Sequence, residues 1–97
     1  MQSFEWDSNK ADANLEKHGV DFTEAATVFD DDLAFVGPDE AHSIGEFRFF
    51  ILGMSDQGRL LVVVAYTYRD EIVRIINARP ATTNERKQYE NGEIEER

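Results

Sequence analysis

The sequence contains no cysteine, so the chain can form neither disulfide bonds nor a metal site built on thiolates. Its longest apolar stretch, Leu60 to Tyr66, is far too short to cross a bilayer. The first seven residues have neither the basic nor the apolar segment of a secretory signal peptide. These absences predict a cytoplasmic protein that has no contact with a membrane.

The composition is that of one ordinary folded domain. A length of 97 residues matches the usual size of a single domain. Hydrophobic residues make up 41% of the chain and charged residues 31%, which is typical of a soluble domain rather than a disordered chain. We therefore expect one domain over residues 1–92, followed by a frayed acidic tail over residues 93–97.

Charge is distributed unevenly along the chain, whose net charge is −10. Residues 1–40 hold two basic and eleven acidic side chains, a net of −9, whereas residues 48–87 hold seven basic and four acidic ones, a net of +3. A local concentration of arginine within an acidic protein indicates a confined anion site. The acidic front part fits either a surface that engages a basic partner protein or a merely solvated surface.

Two hydrophobic periods divide the chain, a helical one at both ends and a strand-like alternation between them. Gly19 and Gly58 are placed to end a helix and to close a hairpin, and Thr82 with Glu85 matches a capping box. The predicted elements are an extended segment at Phe4–Trp6, helices from Asp7 or Ser8 to about Lys17 and from Thr23 to Phe29, strands at Leu33–Val36, Glu46–Leu52, Arg59–Tyr68 and Ile72–Asn77, and a helix from Thr82 to about Glu90, closed by Asn91 and Gly92.

This order predicts an α+β domain with an antiparallel sheet of about four strands. We expect the N-terminal helices to pack on one face of the sheet, with the helices confined to that face, and a C-terminal helix to complete the domain. The residues at Asp30–Asp32 are a weak metal site at best and fit a solvated turn better.

Several motifs resemble, in order, those of the BrnT toxin family. They are Phe4–Asp7, Asn9–Lys10, Asn14–Val20, Phe22, Ala25, Phe29–Asp30, His42, Glu46–Arg48, Gly53, Arg74–Arg79 and Glu85–Glu90. The chain departs from the family at Asn77, where serine is usual, and at Pro80, where a basic residue is common. The resemblance implies a RelE-like fold and metal-independent RNA cleavage without a cofactor. It also implies a BrnA-like antitoxin of the ribbon-helix-helix type. The toxin would contact operator DNA only through this antitoxin.

Metal-free RNA cleavage requires positive charge on the phosphate as it becomes pentacoordinate, and arginine suits this role because its fork pairs with phosphate oxygens. The chain offers Arg48, Arg69, Arg74 and Arg79 on or just beyond the predicted strands. Alternatively, these arginines form salt bridges with neighbouring carboxylates. Simple strand geometry places Arg48 and Arg69 at the same sheet end and carries Arg79 toward the other end. Arg79 is retained on the resemblance of the closing motif, and Arg74 is its natural substitute.

Proton transfer requires a group that titrates near neutral pH, and His42 is the best candidate by side-chain type. The alternative for His42 is an exposed loop histidine. Glu46 lies two residues from Arg48 and fits the role of orienting that arginine better than that of a base. His18, at a predicted helix end, is interpreted as structural.

Aromatic and basic residues could also contact RNA outside the catalytic site. Tyr68 could stack on an unpaired base, as could Tyr66 and Tyr89, although tyrosines at strand spacing are more often half-buried core residues. Arg86 and Lys87 are predicted to bind RNA. The sequence as a whole therefore predicts an endoribonuclease toxin with catalytic residues His42, Glu46, Arg48, Arg69 and Arg79 and RNA-binding residues Arg74, Tyr68, Arg86 and Lys87. The alternative is a non-catalytic partner of an antitoxin that acts in transcriptional autoregulation.

Overall fold

The structure, a computed structural model, describes residues 2–39, 48–68 and 71–92. The elements in these residues are strand β1 (Ser3–Glu5), helix α1 (Ser8–His18), helix α2 (Phe22–Thr27), a 3₁₀ turn (Val28–Asp30), strands β2 (Phe35–Pro38), β3 (Arg48–Met54), β4 (Leu60–Tyr68) and β5 (Ile72–Pro80), and helix α3 (Thr83–Asn91). No helix in the described ranges is long and apolar enough to span a membrane.

In the described part of the chain, five strands form one sheet in the order β1-β5-β4-β3-β2. The α+β class is confirmed, but the prediction of about four antiparallel strands is wrong. β1 adds a fifth strand that runs parallel to β5, with Phe4 opposite Val73. A three-residue segment has too little alternation to specify a partner, and this partner lies about seventy residues further along the sequence.

The predicted boundaries of α1 are confirmed, and their physical cause is visible. The Asp7 carboxylate accepts the backbone N–H of Lys10, and Gly19 ends the helix with a positive φ of 72°. Inside α1, the buried side-chain amide of Asn14 donates to the carbonyls of Val20 and Ala78 and accepts the N–H of Ala78. One polar side chain thereby fixes α1 to β5.

Two elements begin at other residues than predicted, because an aspartate side chain sets each start. α2 begins at Phe22 because the carboxylate of Asp21, rather than Thr23, accepts the N–H of Glu24 at 2.7 Å. β2 begins at Phe35, two residues later than predicted, because a turn at Asp31 comes first.

The sheet has a hydrophobic core on each face. On one face, Val20, Phe22, Ala25 and Val28 from the N-terminal helical region pack against strand residues that include Ile51, Val63 and Ile75. On the other face, Leu52, Leu60 and Val62 pack against Ala81 and Tyr89 at the C-terminal helix. The expectation that the helices share one face is therefore wrong, since α3 lies opposite α1 and α2. We call the second surface the α3 face.

β5 continues to Pro80, three residues beyond its predicted end, and it contains a bulge. Val64 pairs with Asn77 and the next residue, Ala65, pairs with Ile75, so that Ile76 is an extra residue in β5. The bulge reverses the alternation of side chains along β5. As a result Arg74 and Arg79, five residues apart, lie on the same face of the sheet.

Candidate functional site

The alternation of β3 assigns its arginine to the α3 face. Phe49 and Ile51 pack into the core under α1 and α2, whereas Phe50 and Leu52 pack into the core under α3. Arg48 is two residues from Phe50 and therefore projects from the α3 face. Because α3 packs over Leu52, Leu60 and Val62, Arg48 lies on the part of this face beyond the helix.

A row of three side chains crosses three adjacent strands of this face and consists of Arg48, Tyr66 and Arg74. Arg48 is the cross-strand partner of Tyr66, and Tyr66 is the partner of Arg74. At the usual strand spacing, the backbones of the two arginines are about 10 Å apart, with the tyrosine between them. We call these three residues the arginine–tyrosine row.

The row continues to β1, where Glu5 is the register partner of Arg74. Glu5 Oε2 accepts a hydrogen bond from Arg74 Nη1 at 2.6 Å, and each side chain is 34% exposed. A partly exposed guanidinium can be shared between a carboxylate and a second anion, because both bind it through hydrogen bonds from its N–H groups. This end of the row can therefore bind a phosphate if the phosphate shares Arg74 with Glu5.

Arg79 lies on the same face but further along the sheet, opposite Val62 of β4. Val62 precedes Tyr66 by four residues, which corresponds to about 13 Å along a strand. The structure thus brings Arg48 and Arg74 together and separates Arg79 from them.

The guanidinium of Arg79 is bound by Glu85 of α3. Its Nη1 donates to Oε1 and its Nη2 to Oε2, both at 2.8 Å. The hydrogen bonds from Arg79 lower the pKa of Glu85 to about 2, and those to Glu85 raise the pKa of Arg79. Glu85 therefore stays ionised at neutral pH and is unsuited to carry protons in a reaction.

A cleft of about 390 Å³ extends from this ion pair over the α3 face. It is lined by Asp39, Phe50, Val62, Val64, Asn77, Arg79 and Glu85. Val64 and Asn77 are cross-strand partners two positions from the arginine–tyrosine row on β4. The cleft and the row therefore form one continuous surface, with the apolar residues Val64 and Phe50 between Arg79 and the arginine–tyrosine row.

Other predicted site residues lie on α3 or outside the described residues. Arg86 and Lys87 are exposed on α3, and Arg86 is 3.8 Å from Glu90 one turn later. Tyr68 lies in β4, but its side chain is outside the described part of the structure. His42, Glu46 and Arg69 also lie outside the described residues, and their roles stay predictions.

Two residues of this surface were not assigned to it from the sequence. Tyr66 was considered as a residue that could stack on an RNA base, but its position between two arginines depends on the strand register. Glu85 was assigned only to the capping box, which is confirmed. Its second role depends on the fold, because Arg79 reaches it from β5.

Some charged residues that suggested a site have structural roles instead. Arg59 donates to Glu24, a 3% exposed residue that also accepts the Ser55 hydroxyl at 2.6 Å. Asp31 accepts the N–H of Met54 and the hydroxyl of Tyr89, so it is more than a solvated turn residue. Both groups join separate parts of the fold.

A sequence model of the family described as the ribonuclease toxin BrnT of type II toxin–antitoxin systems matches residues 6–85. No curated protein matches the chain. Among solved structures, the crystal structure of the Brucella abortus ribonuclease toxin, BrnT, is similar with a TM-score of 0.66 and 22% sequence identity. The match covers 86% of this chain and 100% of that one, and it shows a shared fold. On the family match, which confirms what the motifs indicated, this chain belongs to the BrnT family of ribonuclease toxins of type II toxin–antitoxin systems.

Proposed function

We propose that this chain is an endoribonuclease that cleaves RNA without a metal ion or cofactor, at the α3 face of the sheet. A ribose 2′-oxygen attacks the adjacent phosphorus and the bond to the 5′-oxygen breaks. The products are a 2′,3′-cyclic phosphate and a 5′-hydroxyl. The observation that carries the proposal is the arginine–tyrosine row, which sets two guanidinium groups on either side of an aromatic ring.

The arginines stabilise the charge that grows on the phosphate. Arg48 and Arg74 contact the same short stretch of RNA backbone from the two sides of Tyr66, with Arg69 as a further cation. Arg79 is separated from them and already bound to Glu85. It therefore contacts a flanking nucleotide at the cleft, while Arg86 and Lys87 on α3 attract the backbone further out.

Proton transfer is assigned to His42, which takes the proton of the 2′-hydroxyl and returns one to the 5′-oxygen. Glu46 orients Arg48, and Tyr68 stacks on an unpaired base. These assignments rest on residue type and on the family motifs. Membership of a ribonuclease toxin family supports them at the level of the reaction.

The test is cleavage of a synthetic single-stranded RNA by the purified toxin in the presence of EDTA. We expect a product that ends in a cyclic phosphate, and we expect Arg48→Ala to lower kcat/KM by about 100-fold or more. Arg48→Lys keeps the charge and loses the fork, so it should recover only part of the rate. Lys10→Ala, on the exposed side of α1, is the control. Intact RNA with the wild-type toxin, or full activity of Arg48→Ala, would contradict the proposal.

A second candidate function is a non-catalytic partner of the antitoxin that acts in transcriptional autoregulation. Two observations favour it, since Arg74 and Arg79 are already paired with Glu5 and Glu85. The RNA experiment separates the two, because this candidate predicts no cleavage by the wild-type chain at any salt concentration.

We also propose the nature of the partner. Type II systems pair a toxin with an antitoxin, and the family resemblance indicates a BrnA-like ribbon-helix-helix protein that binds operator DNA on behalf of both. The net charge of −9 over residues 1–40 suits a partner with a basic arm.

A further inference from the structure

Large hydrophobic side chains are exposed beside an apolar groove at the β2 edge of the sheet. Within the described ranges, Leu33 is 75% exposed and Val36 is 55% exposed. Both line a groove of about 330 Å³ together with Ala34, Phe35, Gln88, Tyr89 and Gly92. The groove therefore runs between the start of β2 and the C-terminal end of α3, beside the second core and away from the arginine–tyrosine row.

Exposed apolar side chains that flank a groove characterise a binding surface rather than a solvated one. Within the described residues, β2 is the outermost strand of the sheet, so one of its two edges pairs with no other described strand. From this geometry we propose that the groove is the docking surface for an amphipathic helix of the antitoxin. The inference rests on the antitoxin partnership in the proposed function and is independent of RNA cleavage.

The edge of β2 argues for a helix rather than an added strand. The N–H of Asp39 donates to Arg48, which fixes the alternation of hydrogen bonds between β2 and β3. Within β2, this alternation leaves Val36 and Pro38 as the residues whose backbone groups point away from β3, and proline has no N–H to donate. An added strand would find too few backbone hydrogen-bond partners along this edge of β2. An amphipathic helix needs no such partners, because its backbone hydrogen bonds are internal, and it can fill an apolar groove with side chains spaced three, four and seven residues apart.

Charge around the groove selects the partner. Residues 28–39 contain four aspartates and no basic residue. Asp32 and Glu90, which adjoin the groove residues Leu33 and Tyr89, are both exposed. A helix with lysine or arginine beside its apolar stripe would complement this rim. A second copy of the chain, with a net charge of −10, would be repelled, and so would the chain's own end, which carries three glutamates in its last five residues.

The test is titration of the purified toxin with the purified antitoxin encoded beside it. In Leu33→Ser, the exposed apolar side chain at the groove becomes polar without a change of charge. We expect Kd to rise about tenfold. Leu15→Ser is the matched control, because Leu15 is also an exposed leucine, 48% accessible, but lies on α1. Its Kd should stay within about twofold of wild type. Unfolding curves establish that the variants fold.

Two further variants test the occupant and its charge. Asp32→Asn/Glu90→Gln should weaken binding at low salt and reduce the dependence of Kd on salt. A chain that ends at residue 92 should bind as the full chain does. The proposal is overturned if Leu33→Ser binds within about twofold of wild type, if shortening the chain changes Kd about tenfold, or if the wild-type toxin alone forms a dimer that the variant loses. A wild-type toxin that binds through the groove but leaves RNA intact would refute only the proposed function.

Discussion

Glu85, at the start of α3, binds both terminal guanidinium nitrogens of Arg79 on β5, each at 2.8 Å. The same carboxylate accepts the backbone N–H of Thr82 at 2.8 Å and so closes the capping box. One side chain therefore joins the N-terminus of α3 to the sheet and orients a cation at the cleft.

Replacing Glu85 should reveal both roles. Glu85→Ala removes the ion pair and half of the capping box, so we expect the free energy of unfolding to fall by about 1–2 kcal/mol. Glu85→Gln keeps an oxygen for Thr82 and should cost less. Urea unfolding measures both, with Glu90→Ala, whose pairing with Arg86 is long at 3.8 Å, as the control. Equal losses in all three variants would show that the Arg79–Glu85 contact adds nothing.

The pKa of Glu85 predicts a pH dependence of stability. The hydrogen bonds from Arg79 lower this pKa from 4.5 to about 2. A carboxyl with a lowered pKa in the folded state stabilises the fold above its unfolded pKa and loses that contribution as the pH falls. The stability difference between wild type and Glu85→Gln should be constant above pH 4.5, with a size of about 1 kcal/mol because the pair is partly solvated. It should shrink between pH 4.5 and 2. If the stability difference between wild type and Glu85→Gln persisted down to pH 2, it would be due to packing rather than to the charge of Glu85.

Tyr89 and Asp31 form a second connection between α3 and the rest of the fold. The Tyr89 hydroxyl donates to Asp31 at 2.6 Å, which raises the pKa of Tyr89 to about 12. Tyr89→Phe should lower the free energy of unfolding by about 1.5–3 kcal/mol, as expected for a hydrogen bond to a charged group.

A titration followed by ultraviolet absorbance checks the same contact. Because the pKa of Tyr89 is raised from 10.0, its contribution to stability is present below pH 10.0 and is lost as the pH rises toward 12. The phenol that ionises near pH 12 in the wild type should be missing in Tyr89→Phe. In Asp31→Asn, whose side chain carries no charge, the phenol should ionise at lower pH. An unchanged titration in Asp31→Asn would contradict the assignment.

Local signals in the sequence were sufficient for most of the helices and turns. Asp7, Gly19, Thr82 and Gly92 act within one helical turn, and each cap is where the sequence indicates. The pairing of β1 with β5 and the position of α3 on the second face depend on contacts between distant segments. Contacts between distant segments cannot be predicted from a local sequence pattern.

The site was predictable in its residue types but not in its arrangement. Regular alternation along β5 would place Arg74 and Arg79 on opposite faces. The bulge at Ile76 returns them to one face, yet leaves Arg79 opposite Val62 and away from Tyr66. Simple strand geometry did indicate that Arg79 lies toward the other end of the sheet and that Arg74 is its substitute.

Asn14 should be among the residues on which the fold depends most. It is 7% exposed, and its amide satisfies both the N–H and the carbonyl of Ala78 as well as the carbonyl of Val20. Asn14→Leu has a similar volume but leaves these groups without partners. We expect a loss of about 2–4 kcal/mol in the free energy of unfolding, measured in urea. Asp12→Ala, on the exposed side of the same helix, should change it by less than about 0.5 kcal/mol. A small effect of Asn14→Leu would mean that water reaches Ala78.

The last prediction concerns Glu5, which competes with RNA for Arg74 if the proposed function holds. The carboxylate and guanidinium are 2.6 Å apart and both partly solvated, so the contact is weak enough for a phosphate to displace it. Glu5→Gln removes a negative charge beside the phosphate path and weakens the contact that competes for Arg74. We expect KM for RNA to fall about two- to fivefold at low salt, with kcat within about twofold of wild type. The gain should diminish at high salt because the competing charges are screened. Glu16→Gln makes the same change of charge on the exposed side of α1 and should leave KM unchanged. A rise in KM would instead show that Glu5 holds Arg74 in its binding position, and a large fall in kcat would place Glu5 in the reaction itself.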